Sequence, residues 1–156
     1  MKLSNCHNYN DFRKLAKKKL PSPIFHYIDG GSDDESTLNR NTDSFNDYDL
    51  VPNVLAGVSN IDMSTTVLGE KIDFPLFPAA TAMHRLYHHE GERASAKAVE
   101  KVGTIFGLST MSTVSIEEIS TINKGPKLFQ LYIHKDRGLT DNLLERCKKA
   151  GFTSMC

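Results

Sequence analysis

The chain has 156 residues, of which 39% are hydrophobic, 24% charged and 8% aromatic. That length suits one globular domain, and the composition excludes a disordered, collagen-like or disulfide-stapled chain. Lysine plus arginine equals aspartate plus glutamate at 19 each, which argues against the basic surface that a nucleic-acid-binding protein needs. We therefore expect a globular protein without a nucleic-acid partner.

Cysteine usage and hydropathy favour a soluble, cytoplasmic protein. Cys6, Cys147 and Cys156 are odd in number and widely separated, so we expect free thiols rather than disulfides or a zinc site. The N-terminal stretch lacks the apolar core of a signal peptide, and no apolar run approaches the ~18 residues that a transmembrane helix needs.

The first helix is predicted by apolar residues at helical spacing before Pro21, which ends it. Basic residues cover its other face: Arg13, Lys14, Lys17, Lys18 and Lys19. Such a face is usually solvated, but it can also contact an anionic membrane. We therefore keep peripheral membrane contact as an alternative to a plain solvated face.

Two further helices are predicted before residue 50. The second covers residues 24–28 and is expected to stop at Gly30-Gly31 in a left-handed conformation. Ser32-Asp33-Asp34-Glu35 has the pattern of a capping box for the third helix, with Leu38 and Phe45 on its inner face. Residues 68–71 are then expected to turn a small hairpin.

Strands alternate with helices from Pro75 onward. Short apolar runs predict strands at 75–80, 104–109, 127–133 and 152–156, whose starts lie 29, 23 and 25 residues apart. Helices are expected between them, the second opened by a capping box at Ser115. This alternation predicts right-handed βαβ units in a parallel sheet. An open doubly wound sheet and the first half of a (β/α)8 barrel both fit, and the lack of a glycine-rich phosphate loop favours the half barrel.

Polar side chains without acid or base groups follow three of these strands, in the stretches Ala80–Met83, Ser109–Ser112 and Gln130–Tyr132. The carboxyl ends of parallel strands form the functional face of both architectures. Hydroxyl and amide groups can bond a planar polar ligand such as a flavin without titrating. Serine and threonine also end many strands for structural reasons, so the spacing alone leaves both interpretations open.

A histidine-rich loop follows the first predicted strand and contains His84, His88, His89 and Glu90. The spacing is not that of converging metal ligands, so we expect a polar loop and no metal site. No catalytic triad, Cys–His pair or paired carboxylates can be assembled from the sequence either.

Five stretches of the chain together resemble the FMN-dependent α-hydroxy-acid dehydrogenase/oxidase family, which includes glycolate oxidase, L-lactate dehydrogenase and flavocytochrome b2. They are LPSPIFHYIDGGSDDESTLNRN, NIDMSTTVLGEKIDFPLFPAATAM, EGERASAKAVEKVGT, LSTMSTVSIEEI and FQLYIHKDRG. The resemblance covers about residues 8–156 and implies N-terminal helices followed by the first half of a (β/α)8 TIM barrel. We accordingly expect one partial domain, with a helical and hairpin segment at 1–74 and barrel strands one to four at 75–156.

The resemblance also implies roles for individual residues. Those matching cofactor-binding positions approach the flavin ring or bond its polar edge: Ala80, Thr81, Ala82, Ser109 and Gln130. Tyr27 and Tyr132 match the tyrosines that bind the substrate carboxylate and hydroxyl. Met111 stands where glycolate oxidases carry a bulky tryptophan beside the substrate, so the identity of the acid stays open.

The implied activity is oxidation of an L-2-hydroxy acid to the 2-oxo acid, with FMN accepting two electrons and a histidine taking a proton. That histidine and the arginines that bind the carboxylate belong to the second half of the family's barrel. No residue here matches them, so we expect no catalytic residue in this chain and no activity of the chain alone. The implied partners are a small hydroxy acid, an unidentified electron acceptor and further copies of the whole protein. The alternative is a non-catalytic α/β half-domain that serves as a binding or interaction module.

Overall fold

The computed structural model describes residues 2–156; Met1, with which the predicted first segment begins, lies outside them. The α-helices of this range are α1 (Tyr9–Lys19), α2 (Ser22–Asp29), α3 (Ser36–Asp43), α4 (Glu92–Val102), α5 (Ile116–Ile122) and α6 (Arg137–Lys149). The strands are β1 (Thr65–Val67), β2 (Glu70–Ile72), β3 (Phe106–Ser109), β4 (Lys127–Gln130) and β5 (Ser154–Met155). Short 3-10 turns occupy Leu3–Asn5, Ser44–Asp47 and His84–Leu86. The chain divides into two compact units, residues 2–59 and 60–156.

In the unit of residues 2–59, α1 and α2 form as predicted. The side chain of Asn8 caps α1 by accepting a hydrogen bond from the Asp11 N–H at 3.0 Å. Each of the two helices buries one apolar residue, Leu15 and Phe25. Arg13 of α1 pairs with Asp29 of α2 and so joins the two helices.

The predicted left-handed stop at Gly30-Gly31 and the predicted capping box at residues 32–35 are both wrong. Gly30 is extended, with φ −80° and ψ 149°, rather than left-handed. The Glu35 carboxylate accepts the Gly31 N–H at 3.1 Å, which holds this extended turn. Glu35 itself is left-handed with φ 57° and precedes α3 without a side-chain cap, so residues 32–35 form no capping box.

The predicted inner face of α3 is also wrong. Leu38 is exposed, and Phe45 lies in the following 3-10 turn with 78% of its surface exposed. Periodicity placed these residues on one side of a helix, but residues 2–59 supply no layer that would cover that side.

The predicted hairpin is confirmed in the unit of residues 60–156. Strands β1 and β2 pair antiparallel, with Thr65 opposite Ile72 and Val67 opposite Glu70. Leu68 and Gly69 form the turn between them with positive φ angles. Ile72 is buried with Ile105 and Leu128 in a small apolar cluster.

A parallel sheet in the order β3-β4-β5 organises the rest of this unit, as the alternating pattern predicted. Phe106 is registered with Lys127, and Leu128 with Ser154. Helices α4, α5 and α6 alternate with the strands along the chain. Their apolar sides join the strands in the main core of buried residues: Ala96, Val99, Phe106, Leu108, Val114, Ile116, Ile119, Phe129 and Cys147.

The strand predicted at 75–80 is not formed. This stretch lies beside β3, where Pro78 and Ala80 approach Gly107, and the backbone of Leu76 accepts a hydrogen bond from Thr104 Oγ1 at 2.7 Å. Pro75 and Pro78 have no N–H to donate, which interrupts the ladder that a strand requires. The stretch is largely exposed at the edge of the sheet, in contrast to the prediction that both of its faces are buried.

Candidate active site

The parallel register of β3 and β4 places Ser109 directly beside Gln130, at the carboxyl end of both strands. Ser109 is buried, and its Oγ donates to Gln130 Oε1 over 2.9 Å. The Gln130 Nε2 in turn donates to the Tyr132 hydroxyl over 3.3 Å. Three residues selected from the sequence as ligand-binding residues thus form one hydrogen-bonded row.

Thr110 fixes the backbone of this row, a role that the sequence did not reveal. Its Oγ1 donates to the Gln130 carbonyl at 2.7 Å and accepts the Tyr132 N–H at 3.0 Å. The Thr110 N–H donates to the same carbonyl at 3.0 Å. The Tyr132 side chain, about half exposed, therefore projects from a firmly held backbone.

Met111 lies where two loops meet. Its N–H donates to Ser109 Oγ at 3.1 Å, and its carbonyl accepts the Met83 N–H at 3.1 Å. Its side chain is about half exposed. The structure thus brings the loop after β3 next to the loop that follows residues 80–82.

The backbone at Ala80 lies tight against β3. A Cβ atom on Gly107 would come within 3.0 Å of the Ala80 nitrogen and 3.2 Å of the Pro78 carbonyl oxygen. Only glycine permits this approach without displacing one backbone from the other. Thr81 is exposed, and its Oγ1 donates to the Ala79 carbonyl at 3.3 Å. Residues 80–82 therefore flank the row formed by Ser109 and Gln130.

Glu92 is a buried carboxylate that sequence reasoning missed. It lies at the first position of α4 and accepts hydrogen bonds from Thr113 and from the backbone of His84. Burial favours the neutral acid, but the Thr113 and His84 bonds outweigh it, so the pKa of Glu92 is lowered. The available signal was an acidic residue in the first turn of a helix directly after a candidate loop.

The remaining candidates are not members of this hydrogen-bonded row. Tyr27 is on α2 in the unit of residues 2–59, with 58% of its surface exposed, and its substrate role remains a prediction. In the histidine-rich loop, His84 Nδ1 is 3.2 Å from Ser95 Oγ, and the His88 and His89 rings lie 4.3 Å apart. Among residues 2–156 no cluster of three or more metal-ligating side chains is found.

The donor set of this site fits one edge of a flavin. Ser109, Gln130 and Tyr132 offer hydroxyl and amide groups that donate and accept without changing charge. The backbone of residues 80–82 borders them. A parallel βα scaffold with such groups at its carboxyl ends has its ligand-binding face where (β/α)8 enzymes have theirs.

Comparison with known proteins specifies that class. The sequence model of the FMN-dependent dehydrogenase family matches residues 16–156, and the chain belongs to this family. Glycolate oxidase of Spinacia oleracea is 41% identical over 148 residues, covering 95% of this chain and 40% of that protein. L-lactate dehydrogenase of Vibrio parahaemolyticus is 46% identical over 145 residues, covering 93% of this chain and 38% of that protein.

A solved structure confirms the fold. A soluble mutant of the membrane-associated (S)-mandelate dehydrogenase of Pseudomonas putida superposes with a TM-score of 0.87 at 34% identity. It matches 97% of this chain and 43% of its own. The prediction of N-terminal helices followed by part of a TIM barrel is thus confirmed, as are the family and its FMN cofactor. The chain spans about 40% of the curated relatives it matches.

Proposed function

We propose that this chain contributes to the FMN-dependent oxidation of an L-2-hydroxy acid, of the lactate or glycolate class, to the 2-oxo acid. The observation that carries the proposal is the hydrogen-bonded row of Ser109, Gln130 and Tyr132 at the carboxyl ends of β3 and β4. The relatives support the substrate class, since they include a glycolate oxidase and an L-lactate dehydrogenase.

Bound FMN would supply the two-electron acceptor. Gln130 would present its amide to the polar edge of the ring, held in orientation by the Ser109 hydroxyl. The backbone of Ala80, Thr81 and Ala82 would lie along the ring, where a flat apolar surface suits a planar ligand. Each group acts by binding and orientation, because none of them titrates near neutral pH.

Substrate contacts are assigned to three side chains. Tyr132, with its hydroxyl beside Gln130, would donate a hydrogen bond to the substrate, and Tyr27 would bind the carboxylate. Met111 would border the substituent on the substrate's second carbon with a flexible apolar side chain. We assign proton abstraction to none of residues 2–156 and leave the electron acceptor unnamed.

The test is flavin binding followed by anaerobic reduction. The purified protein is titrated with FMN, and flavin absorbance is recorded after addition of L-lactate or glycolate. Tight FMN binding supports the proposed flavin site. Bleaching is not expected of this chain alone, because no proton acceptor is assigned among residues 2–156, and its occurrence would contradict that expectation. No FMN binding contradicts the proposal and favours the non-catalytic α/β half-domain.

A pair of variants assigns the binding to the row. Gln130→Leu removes the amide and should weaken FMN binding about tenfold, the effect of one hydrogen bond lost at a desolvated site. Asn142→Leu makes the same amide-to-leucine change on the exposed side of α6 and serves as the control. Equal FMN affinity of the two variants would argue against the proposed site.

We also propose a cytoplasmic location with peripheral contact at an anionic membrane surface through α1. Lys14, Lys18 and Lys19 are exposed, whereas Arg13 is engaged by Asp29 and Lys17 lies 5.9 Å from the Phe25 ring. Each lysine near such a surface contributes about 1 kcal/mol. The structure has no helix within residues 2–156 that is long and apolar enough to span a membrane. Flotation with phosphatidylserine vesicles should occur at low salt and be lost at high salt.

Homo-oligomerisation of the whole protein is the last part of the proposal. It is supported by the family resemblance, and light scattering coupled to size exclusion tests it. A monomer at micromolar concentration would contradict it.

A further inference from the structure

Two loops border the proposed site and are named here by their residues. The first loop, residues 81–91, follows the stretch beside β3 and ends at α4. The second loop, residues 110–114, follows β3 and contains Met111. The Met83 N–H donates to the Met111 carbonyl at 3.1 Å, so the two loops touch near their first residues.

Glu92 lies beneath both loops with 1% of its surface exposed. Its Oε1 accepts the His84 N–H of the first loop at 3.2 Å and the Thr113 N–H of the second at 2.9 Å. Its Oε2 accepts the Thr113 hydroxyl at 2.5 Å. A single carboxylate therefore holds backbone groups from both loops at once.

Thr113 of the second loop also bonds directly to the first loop. While it donates to Glu92, its Oγ1 accepts the Arg85 N–H of the first loop at 3.3 Å. The proton and one lone pair of this hydroxyl thus have a defined orientation. Thr113 donates to Glu92 through both its N–H and its hydroxyl, so the side chain at position 92 must accept two hydrogen bonds. Only an ionised carboxylate provides one acceptor oxygen for each of them.

Burial of a carboxylate is unfavourable unless it is fully hydrogen-bonded, and charge-assisted bonds are the strongest available. The N-terminus of α4 adds a favourable dipole for a negative charge at its first position. Arg93, the next residue, pairs with Glu118 of α5 and leaves Glu92 to the two loops. The Glu92 carboxylate is therefore hydrogen-bonded to the two loops and takes no part in the surface ion pair of Arg93.

We infer that Glu92 is a positioning residue that sets the separation of the two loops, and with it the placement of Met111 opposite residues 80–82. The substrate-selecting part of this inference rests on the proposed function. Since Met111 is attached on one side to Ser109 and on the other to Met83, moving either loop moves its side chain. Glu92 thereby acts on substrate fit without touching substrate or flavin.

The first measurement is backbone amide exchange in flavin-free protein, comparing Glu92→Gln with Glu90→Gln. Glu90 lies in the same turn, and its partly exposed carboxylate has Lys97 at 3.8 Å, so it is a matched control. In Glu92→Gln the side-chain amide faces the Thr113 hydroxyl with a donor in place of an acceptor. Exchange at His84 and Thr113 should rise about tenfold, as expected for one weakened charge-assisted bond. Exchange in β4 should stay unchanged.

Uniform acceleration across β4 as well, or no change at His84 and Thr113, would overturn the inference. If Glu92→Gln fails to fold, Thr113→Val removes the Oγ1 bonds with nearly the same shape and should give the same local pattern. Amide exchange of either variant can be measured without bound flavin and without enzymatic activity.

The second measurement uses flavin-loaded protein and a series of L-2-hydroxy acids of increasing size. Glu92→Gln should raise the Kd of the preferred acid about tenfold, measured from the change in flavin absorbance on binding, because Met111 is no longer held in place beside the substrate. An equal rise of Kd for all acids would contradict the selecting role. If the wild-type protein binds no flavin, the proposed function fails, while the amide exchange result still decides the role of Glu92.

Discussion

The two compact units of this chain differ in what their helices pack against. In residues 60–156 the apolar faces of α4 and α5 meet a parallel sheet, and Phe129 of its central strand is 1% exposed. Among residues 2–59, Leu15 and Phe25 are the buried hydrophobic residues. Both units have capped, well-formed helices. Helix signals are therefore local, whereas burial requires a second layer.

Apolar content does not explain this contrast. The stretch from Tyr48 to Val58 is rich in large apolar side chains that are exposed, and Leu55 is 100% exposed. Side chains of the same kind are buried in β3 and β4 because each strand has a neighbour and a helix over it. The arrangement of partners, rather than composition, sets the core.

The largest expected effect is the loss of a ring from each unit. Phe129→Ala should destabilise the protein by about 3–5 kcal/mol, because a rigid surrounding core leaves a cavity. Phe25→Ala should cost about half as much, since the few residues around it can collapse into the space. Urea unfolding followed by circular dichroism measures both.

An equal loss in both variants would contradict the comparison, because it would place Phe25 in a core as rigid as that of Phe129. Unchanged m-values are needed to attribute the differences to the folded state.

Gly107→Ala tests the close contact that holds residues 78–80 on β3. The added methyl would lie 3.0 Å from the Ala80 nitrogen, so one backbone must move, at a cost of about 1–3 kcal/mol. Gly125→Ala, whose nearest neighbour would be the Asn123 side-chain oxygen at 3.4 Å, is the matched control and should change stability by less than about 1 kcal/mol. Thermal unfolding of both variants decides whether this contact is tight.

Helix caps allow a direct comparison of the two units, because each unit has a helix whose N-terminus is capped by a side chain in similar geometry. Ser115 Oγ accepts the Glu118 N–H at 3.2 Å at the start of α5, and Asn8 does the same for α1. Ser115→Ala and Asn8→Ala should each remove about 1 kcal/mol of helix stability. At Ser115 the loss should appear in global unfolding, because α5 carries the buried Ile116 and Ile119.

At Asn8 the loss should appear as faster amide exchange within α1 with little change in the main unfolding transition. Equal shifts of that transition in both variants would show that α1 is part of the same cooperative core.

These contrasts explain how much of the fold the sequence could predict. The alternation of strands and helices after residue 100 was predicted correctly because its signals are local: short apolar runs for the strands and the cap at Ser115 for α5. The strand at 75–80 was wrong because an apolar run does not reveal that it lies at an edge. The inner face predicted for Leu38 and Phe45 was wrong because periodicity does not reveal whether a partner layer exists.

The candidate site divides in the same way. Ser109, Gln130 and Tyr132 could be grouped from sequence because parallel strands bring their carboxyl ends to one edge. Glu92 could not, since its hydrogen bonds come from backbone groups whose positions depend on how two loops fold. The role of Tyr27 remains a prediction from the resemblance.

The smallest expected effect concerns the ion pair that joins α5 to α6. Arg146 donates twice to the Glu117 carboxylate, at 2.7 and 2.8 Å, and these bonds lower the pKa of Glu117 to about 2. Both side chains are partly exposed, so solvent screening limits the pair to about 0.5 kcal/mol. Glu117→Gln should lose that amount at neutral pH, whereas Glu145→Gln on the exposed side of α6 should lose none.

The pH dependence gives this small effect a distinct signature. Because the folded-state pKa of Glu117 lies below the usual carboxyl value of 4.5, its stabilisation is complete above pH 4.5 and is lost as the pH falls toward 2. The difference between wild type and Glu117→Gln should therefore shrink over that interval and also diminish with added salt. A difference that stays constant down to pH 2 would assign the effect to packing between α5 and α6 instead of to charge.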